Sequence, residues 1–424
     1  MSQKSRAKKV TNQSAMSGPS FIDLFAGCGG LSLGLIRAGW HGIFAVEKSP
    51  DAFQTLQHNL CGDQGGYYWP EWLPQEAMTT AELLESYKDE MIALRSKVDL
   101  IAGGPPCQGF SFAGRRNHAD PRNRLTEEYI KLVDIIRPKY LLLENVKGFK
   151  TAFKDAKKPP YSEIVQETLA GLRWGGYTVF SSMLNASSFG VPQPRARFIM
   201  VAIRSDLVSE KPNNPFDHIS QITDEFLEEK QLSAQTITVM DAISDLETKR
   251  QGLAESADTK GFKEVDYNEP ANLTPFQKLM RLEVPSGHKP NSLRLARHNP
   301  KTISRFKDVL RTCAKGKSLS KEDRERFGLK KQCFTPLHPE QLSRTITTLP
   351  DDLLHYSEPR ILTVRENARI QSFPDSFEFL GKYTTGGNRR REECPRYTQV
   401  GNAVPPLMAE ALGGMIQKIE RDHA

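Results

Sequence analysis

The sequence Val98-Asp-Leu-Ile-Ala-Gly-Gly-Pro-Pro-Cys-Gln-Gly-Phe-Ser111 gives the clearest indication of the fold. Its apolar run, residues 98–102, is typical of a buried parallel strand. Two glycines end that strand, and two prolines stiffen the turn behind it. Cys107 therefore lies at the carboxyl end of a strand, where open α/β sheets bind their ligands. A thiol on a rigid turn suits nucleophilic attack, although a buried structural cysteine is the commoner interpretation of an isolated Pro-Pro-Cys.

The composition of the 424 residues is that of an ordinary soluble globular protein with two or three domains, 38% hydrophobic and 26% charged. The six cysteines are scattered and form no Cys-x-x-Cys pair, so we expect neither a metal site nor a disulfide framework. No apolar run reaches membrane-spanning length and no signal-peptide core is present, which predicts a cytoplasmic protein without a membrane partner. The net charge of +7 is compatible with a polyanionic partner.

Residues 21–35 predict a strand, a glycine-rich turn and a helix. Glycines in the turn let the backbone approach a ligand closely, and the helix N-terminus favours a negative group. A second strand, residues 42–46, ends before Glu47, which follows Gly27 by twenty residues. An acid at this spacing accepts hydrogen bonds from a ribose diol. The pattern is Gly-x-Gly-Gly rather than Gly-x-Gly-x-x-Gly, which favours an adenosine ligand smaller than a dinucleotide.

Two basic segments flank these elements. Residues 1–19 carry four basic residues and no acid, so we expect a disordered tail. Residues 113–124 carry four arginines against one aspartate and predict a mobile surface loop. Such a loop could close over a phosphate backbone, or it could only improve solubility. Residues 61–97 interrupt the strand–helix alternation, and their sequence suggests no role.

Glu144 ends another apolar strand, residues 139–145, and we expect it at the same sheet edge as Cys107. A carboxyl group at the end of an apolar strand could stay protonated and donate a hydrogen bond to a substrate nitrogen. It could also form a strand-end salt bridge. Further along, Arg195 and Arg197 alternate onto one face at the entry to the last strand. Both could contact a bound anion or carbonyl, and either could be an ordinary surface arginine.

The strand–helix alternation stops at about residue 205, and a polar, irregular module follows. Its basic residues, for example Lys301, suggest a basic face, although helical surface charge is usually only solvation. Residues 342–349 predict a β-rich run, and Thr363 predicts a capped helix with Glu366 three residues on. The apolar helix that begins at Leu407 should pack on the first domain.

Taken together, these residues resemble the cytosine-5 DNA methyltransferase family of the bacterial restriction–modification type. Phe-x-Asp-x-Phe-x-Gly-x-Gly-Gly at 21–30 is similar to the family's S-adenosylmethionine motif, and 103–111 to its nucleophile motif. Four further motifs occur in the family's order: Glu144-Asn-Val146, Gln193-Pro-Arg-Ala-Arg197, Arg344-Thr-Ile-Thr-Thr348 and Gly401-Asn-Ala-Val-Pro405. The resemblance covers about residues 20–204 and 340–420.

The resemblance implies an α/β fold, in which the Rossmann-like sheet of S-adenosylmethionine-dependent methyltransferases carries a second, smaller and irregular target-recognition domain. We expect residues 1–19 to form the tail and 20–204 the catalytic, cofactor-binding domain. Residues 205–385 would form the small domain, with 205–340 as its variable target-recognition region. Residues 396–424 would pack back on the catalytic domain.

The family's chemistry assigns roles to four of these residues. The resemblance implies that the Cys107 thiolate adds to carbon 6 of cytosine, which makes carbon 5 nucleophilic enough to take a methyl group. Glu144 would hydrogen-bond ring nitrogen 3 and the exocyclic amine. Arg195 would hold the base by its carbonyl, and Arg197 would support the site. The substrate would be a cytosine swung out of double-stranded DNA, with 113–124 as the lid and the protein acting as a monomer.

The resemblance also implies S-adenosylmethionine as cofactor. Its expected binding residues are Asp23, Phe25, Ala26, Gly27, Gly29, Gly30, Leu31, Glu47, Lys48, Pro105, Asn402 and Ala403. The sequence departs from the family at one point: Thr79 occupies the position where an acid usually contacts the adenine amino group.

Three alternatives stay open. One is the RNA-directed branch of the same family, because residues 332–335 resemble a Cys-Phe-Thr element of that branch, although Gly109 and Ser111 resemble the DNA enzymes. Another is a binding-only relative, against which the intact Cys107, Glu144 and Arg195 argue. The last is a dinucleotide oxidoreductase, which does not explain Pro-Pro-Cys or the second module.

Overall fold

The structure is a computed structural model and describes residues 18–62, 65–106, 124–151, 159–208, 213–232, 236–385, 389 and 392–423. Cys107, the tail as far as residue 17 and the basic loop as far as residue 123 lie outside the described residues, and so do the predictions made for them.

A six-stranded mixed sheet lies at the centre of the first half of the chain, with the strand order β2-β1-β3-β4-β6-β5. The first four strands are parallel, and β6 runs antiparallel to both of its neighbours. The α/β fold predicted from the sequence is confirmed. The strands are β1 (Ser20–Leu24), β2 (His41–Val46), β3 (Leu100–Gly103), β4 (Tyr140–Val146), β5 (Tyr177–Asn185) and β6 (Ala196–Arg204).

Helices cover both faces of this sheet, because the buried strands are apolar on both sides. Side chains of α1 and α15 join the core on one face, and side chains of α3, α5 and α6 join the core on the other. The helices of this half are α1 (Gly30–Arg37), α2 (Pro50–Leu60), α3 (Thr80–Ser86), α4 (Lys88–Ala93), α5 (Arg124–Ile136) and α6 (Tyr161–Ala170), with α15 (Pro406–His423) returning from the end of the chain.

The returning helix α15 packs closely along α1. A Cβ added to Gly34 of α1 would lie 2.4 Å from the Cβ of Ala409, so this contact requires glycine. At the far end of α1, Gln417 Nε2 donates to the carbonyl of Ala38 at 2.9 Å. A Cβ added to Gly18 would lie 2.7 Å from the carbonyl oxygen of Gly39, so residues from both ends of the chain meet at this turn.

The second half has short elements; many of its apolar side chains join the core cluster on one face of the sheet, and others form two small clusters. Its strand pairs are β7 (Leu253–Glu255) with β8 (Lys263–Val265), and β9 (Thr335–Pro336) with β10 (Leu353–Leu354). Its helices are α7 (Ile219–Glu229), α8 (Val239–Ile243), α9 (Thr248–Gln251), α10 (Pro275–Met280), α11 (Pro300–Thr312), α12 (Lys321–Arg326), α13 (Val364–Ile370) and α14 (Arg396–Asn402).

One local prediction for this half is confirmed and one is wrong. Thr363 caps α13 and forms a reciprocal capping box with Glu366, as the sequence predicts. The β-rich run predicted at 342–349 forms no strand. Its backbone donors bond to the turn before β6 instead of to a neighbouring strand: Ser343 N donates to Pro192 O at 2.9 Å, and Ile346 N donates to the Gln193 side chain at 3.0 Å.

Buried arginines hold much of this second half together. Arg369 is fully buried, forms ion pairs with Asp375 and Asp245, and donates to the carbonyl of Ala242. Arg365 is also fully buried and donates to the carbonyls of Pro374 and Phe377, among others.

Among the described residues, no helix combines the length and the apolar character needed to cross a membrane. No group of three or more metal-ligating side chains is found in that part of the chain either.

Candidate active site

The glycine-rich turn follows β1 directly. Gly27 and Gly29 have φ values of 58° and 94°, which glycine adopts without strain. Phe25 has φ 63°, a conformation that is strained for an aromatic residue and that often marks a ligand site. Ala26 N donates to Val46 O at 3.0 Å, which ties the turn to the end of β2. The helix N-terminus at Gly30, expected to face a negative group, follows this turn.

Glu47, at the end of β2, supports the same turn. Its Oε2 accepts a hydrogen bond from Gly27 N at 2.9 Å, and its Oε1 accepts one from Ser49 N at 2.8 Å. Burial raises the pKa of this carboxyl group, while the two backbone donors oppose that rise. The twenty-residue spacing therefore brings Glu47 to the turn, with lone pairs that can still accept from a ribose diol. Its neighbour Lys48 is exposed.

Asp23, on β1, lies behind the turn and is fully buried. Its Oδ2 accepts a hydrogen bond from Ser32 Oγ at 2.5 Å, and its Oδ1 has no hydrogen-bond partner among the described residues. Burial raises the pKa of this carboxyl group to about 7 against the opposing bond from Ser32, and the nearby charge of Glu47 adds to the rise. A buried acceptor without a partner fits a cationic group of the expected S-adenosylmethionine.

The C-terminal segment lines the other side of the turn. A Cβ added to Gly30 would lie 2.4 Å from the carbonyl oxygen of Val404 and 3.3 Å from the Cβ of Ala403. Leu31 is buried beneath this contact, and Asn402 is exposed at the end of α14. Of the expected cofactor residues, Ala403 is therefore in direct contact with the start of α1.

Glu144 lies beside the segment that leads to Cys107. A Cβ added to Gly104 would be 3.2 Å from Glu144 Oε2. The buried side chain of Asn145 donates to the carbonyl of Pro105 at 3.1 Å and so holds the two strand ends together. Because β3 and β4 are parallel, their carboxyl ends meet at one edge, as expected from the sequence. Cys107 itself lies outside the described residues.

The two arginines of the 193–197 motif have different partners. Arg197 forms an ion pair with Glu144, and the two side chains are 12% and 13% exposed. Arg195 is buried and donates to Ile346 O at 3.0 Å and to Gly401 O at 2.8 Å. The structure thus brings Arg197 to the carboxylate and brings Arg195 to two loops from the end of the chain.

Gln193 is a residue whose importance the sequence analysis missed. Its buried side chain accepts from Ile346 N at 3.0 Å and donates to Ile370 O at 3.1 Å and to Gln371 Oε1 at 2.7 Å. Gln371 in turn donates to Val400 O at 2.7 Å and to Ala403 O at 3.3 Å. These buried amides connect three of the motifs. In the sequence, Gln193 is marked only as the first residue of the motif that contains Arg195 and Arg197.

Thr79, which stands where the family usually has an acid, has a structural role in its own helix. Its hydroxyl caps α3 and forms a capping box with Glu82. Met78 N donates to Glu47 O at 2.9 Å, so this segment does lie next to the cofactor turn. The next residue, Thr80, is buried and donates to Glu128 of α5 at 2.5 Å.

Comparisons with known proteins identify the family of the chain. The family model for C-5 cytosine-specific DNA methylase matches residues 19–418. The Type II methyltransferase M.DdeI of Desulfomicrobium norvegicum is 30% identical over 407 residues, which span 94% of this chain and 88% of that protein. DNA (cytosine-5)-methyltransferase 4 of Arabidopsis thaliana is 31% identical over 94% of this chain but only 28% of its own length.

Solved structures share the fold. One is the crystal structure of a prophage-encoded E. coli protein described as a DNA modification methyltransferase, with a TM-score of 0.61 and 23% identity over 95% of this chain and 100% of that one. Another is the crystal structure of S. pombe Dnmt2 methyltransferase, with a TM-score of 0.52 and 15% identity. This match covers 95% of this chain and 99% of the S. pombe chain. Because the family model spans almost the entire sequence, from β1 to α15, the chain belongs to the C-5 cytosine-specific DNA methylase family.

Proposed function

We propose that this member of the family modifies a cytosine swung out of a specific site in double-stranded DNA, through a covalent adduct of Cys107. Methyl transfer from S-adenosylmethionine to carbon 5 of cytosine is the activity of the family to which the chain belongs. The observation that carries the proposal is the contact between Glu144, Arg197 and the turn of Gly104 at one sheet edge.

This geometry suggests that the two arginines exchange the roles expected from the sequence. Arg197 forms an ion pair with Glu144, so we assign it to donating to the carbonyl oxygen of a base that Glu144 holds by nitrogen 3. Arg195 already donates to two backbone carbonyls and is buried, so we assign it to fixing the 346 and 401 loops around the site. Glu144 donates a hydrogen bond or a proton to nitrogen 3 and offsets the charge that develops there.

Cys107 is the proposed nucleophile. Its thiolate adds to carbon 6 of the cytosine, the carbon 5–carbon 6 double bond opens, and the electron pair reaches carbon 5 while nitrogen 3 is protonated. After carbon 5 has gained the methyl group, a water molecule takes the proton from carbon 5, the carbon 5–carbon 6 double bond forms again and the thiolate leaves carbon 6. Nitrogen 3 returns its proton to Glu144. Carbon 6 is stacked inside a duplex, so the base must leave the helix first.

S-adenosylmethionine, when bound, supplies the methyl group on a positively charged sulfur. The residues that would hold it are those of the 25–30 turn, Glu47 toward the ribose, Asp23 behind the turn, and Ala403 from the C-terminal segment. These residues bind and orient the donor and keep water from the space between it and the base.

Charge distribution supports DNA as the partner of the second module. Residues 297–331 hold twelve lysines and arginines against four acidic residues, a surplus that exceeds the +7 of the whole chain. Lys301 and Lys307 on α11 are exposed, while Phe306 and Val309 of the same helix join a small apolar cluster. A basic face on a packed helix suits phosphate contacts that orient a duplex.

We also propose, from the bacterial Type II methyltransferases among the relatives, that the protein is the modification half of a restriction–modification system. It would act as a monomer in the cytoplasm, associated with the nucleoid through its substrate. Light scattering after gel filtration tests whether the protein is a monomer, since a dimer would have twice the molecular mass.

The test of the covalent step uses a duplex oligonucleotide with 5-fluorocytosine, in which the carbon 5 position cannot lose a proton. Incubation with S-adenosylmethionine should give a denaturation-resistant adduct, and peptide mass spectrometry should locate it on Cys107. Cys107→Ser should form none, whereas the matched control Cys333→Ser, which changes an exposed cysteine, should form it normally. An adduct on another peptide would refute the assignment of Cys107.

A further inference from the structure

Three buried side chains form a hydrogen-bonded chain behind the glycine turn. Tyr67 Oη lies 2.8 Å from Ser32 Oγ, and Ser32 Oγ donates to Asp23 Oδ2 at 2.5 Å. Tyr67 is 5% exposed, and the other two are fully buried. Tyr67 belongs to residues 61–97, for which neither the sequence nor the proposed mechanism provides a role.

The direction of these hydrogen bonds follows from counting protons. Ser32 has a single hydroxyl proton, which it donates to the Asp23 carboxylate. Tyr67 must therefore donate its own proton to Ser32 when Asp23 is ionised. Two donors in series polarise each other, which strengthens the bond to the carboxylate. The phenol thus supports the negative charge of Asp23 without touching it.

The backbone fixes the position of Tyr67. Gly42 N donates to Gly66 O, and Tyr68 N donates to Gly42 O, both at 2.8 Å, so this segment extends the sheet next to β2. A Cβ added to Gly42 would lie 2.3 Å from two atoms of the Tyr67 ring. The ring fits only because position 42 has no side chain.

The surroundings of Asp23 otherwise oppose its ionisation. Burial raises its pKa to about 7, and the charge of Glu47 on β2 acts in the same direction, while the bond from Ser32 lowers it. The phenols of Tyr67 and of Tyr129 on α5 are the other titratable groups that interact with it, and burial raises the pKa of both, so they stay neutral. Near neutral pH, the state of Asp23 therefore depends on its hydrogen-bond donors and on any cation that binds.

The chemistry of the cofactor indicates which cation that is. The methionine part of S-adenosylmethionine carries a carboxylate and an ammonium group on one carbon atom. The helix N-terminus at Gly30 favours the carboxylate, and Ser32, two residues further on, is bonded to Asp23. The ammonium group attached to the same carbon would then face the unpaired Oδ1 of Asp23.

We propose that Tyr67 is a positioning residue of the cofactor site, which acts through Ser32 to keep Asp23 ionised and oriented so that Oδ1 binds the methionine ammonium group. This inference rests on the proposed binding of S-adenosylmethionine at the turn. It gives Tyr67, in residues 61–97, a function that the sequence did not suggest.

The test measures the dissociation constant of S-adenosylmethionine by calorimetry between pH 6 and pH 9, without DNA. Binding requires ionised Asp23, so affinity should fall as the pH drops through about 7. Tyr67→Phe removes a donor that favours the carboxylate, which raises the pKa of Asp23 and moves this fall to higher pH. At pH 7.5 the dissociation constant should rise about 5-fold, the effect of losing one ordinary hydrogen bond.

A second variant and a control separate this role from general packing. Gly42→Ala keeps the phenol but displaces its ring, so it should shift the pH profile in the same direction as Tyr67→Phe. Tyr68→Phe removes the hydroxyl of the adjacent exposed tyrosine and should leave the profile unchanged. S-adenosylhomocysteine lacks the positive sulfur but keeps the ammonium group, so Tyr67→Phe should weaken both ligands equally.

Three results would overturn the inference. One is wild-type affinity of Tyr67→Phe at every pH. Another is an affinity loss without any shift of the pH profile, since that describes a structural role. The third is a loss confined to S-adenosylmethionine, which would assign Asp23 to the positive sulfur. If the wild-type protein bound neither ligand, the proposed function would fail as well, and that result is distinct from the other three.

Discussion

The sheet half of the molecule and the module formed by residues 236–385 are stabilised by different interactions. In the sheet half, apolar side chains of alternating strands enter two large clusters, and the polar residues gather at the carboxyl ends of the strands. In the module, many apolar side chains, such as those of Phe373 and Phe377, join the first of these clusters, while others form two small clusters. Fully buried arginines also join distant segments of the module by ion pairs and by bonds to backbone carbonyls.

This difference indicates which half performs chemistry and which half presents a surface. A close-packed sheet holds Glu144, Asn145 and the turn of Gly104 at fixed separations, as a reaction requires. The module needs only to support a basic face, and a network of buried charges can do so with little regular structure. We therefore expect substitutions in the sheet half to reduce catalysis, and substitutions in the module to reduce stability or DNA binding.

The largest effect is expected at the sheet edge. Glu144→Gln keeps the shape of the side chain but removes the acid, so kcat for DNA methylation should fall by about 100- to 10,000-fold. The variant should fold normally, with an unchanged circular dichroism spectrum. Glu167→Gln, on an exposed position of α6, should methylate at the wild-type rate. A loss of less than 10-fold in Glu144→Gln would argue against Glu144 as the proton donor.

The next effect concerns the stability of the module. Arg369→Met leaves Asp375 and Asp245 buried without their main partner, and the free energy of unfolding should fall by about 3–5 kcal/mol. Urea denaturation followed by circular dichroism measures the change. Arg311→Met removes an exposed partner of Asp308 and should change stability by less than about 1 kcal/mol. Equal effects of the two variants would contradict the assignment of the module's stability to its buried arginines.

The smallest effect concerns the basic face. Changing Lys301 and Lys307 to Ala should weaken duplex binding and reduce the slope of log affinity against log salt by about one unit for each phosphate group that the variant no longer binds. Fluorescence anisotropy over a range of salt concentrations measures the slope. Lys88→Ala, on α4 of the sheet half, should leave it unchanged. If the double variant kept the wild-type slope, α11 would not lie on the DNA.

The same contrast explains what the sequence predicted and what it did not. The alternation of apolar strands is a local pattern, so β1–β4 were predicted. The spacing from Gly27 to Glu47 predicted a contact with a ribose, and the structure shows in addition a hydrogen bond from Gly27 N to Glu47. The choice between Arg195 and Arg197 was not predictable, because both lie on one face of the strand entry. Arg195 instead donates hydrogen bonds to the carbonyls of Ile346 and Gly401, which lie 151 and 206 residues further along the chain.

The failed prediction at 342–349 has the same origin. Threonine and isoleucine favour extended backbone, and the sequence pattern correctly indicated a segment suited to backbone pairing. The partners of Ser343 and Ile346, however, are Pro192 and the side chain of Gln193, not another strand. Only the assembled fold brings such partners together, so a local pattern cannot distinguish this segment from a strand.

The proximity of Gly18 and Gln417 at the Ala38–Gly39 turn has a consequence for protein engineering. Gly18 and Gln417 both touch this turn, so a short linker between them would close the polypeptide into a ring. The ring could then be opened elsewhere, for instance between β6 and α7, which would make the second module the start of the new polypeptide. A circular permutant of this kind would still methylate DNA, because the order in which the segments are synthesised differs while their contacts stay the same.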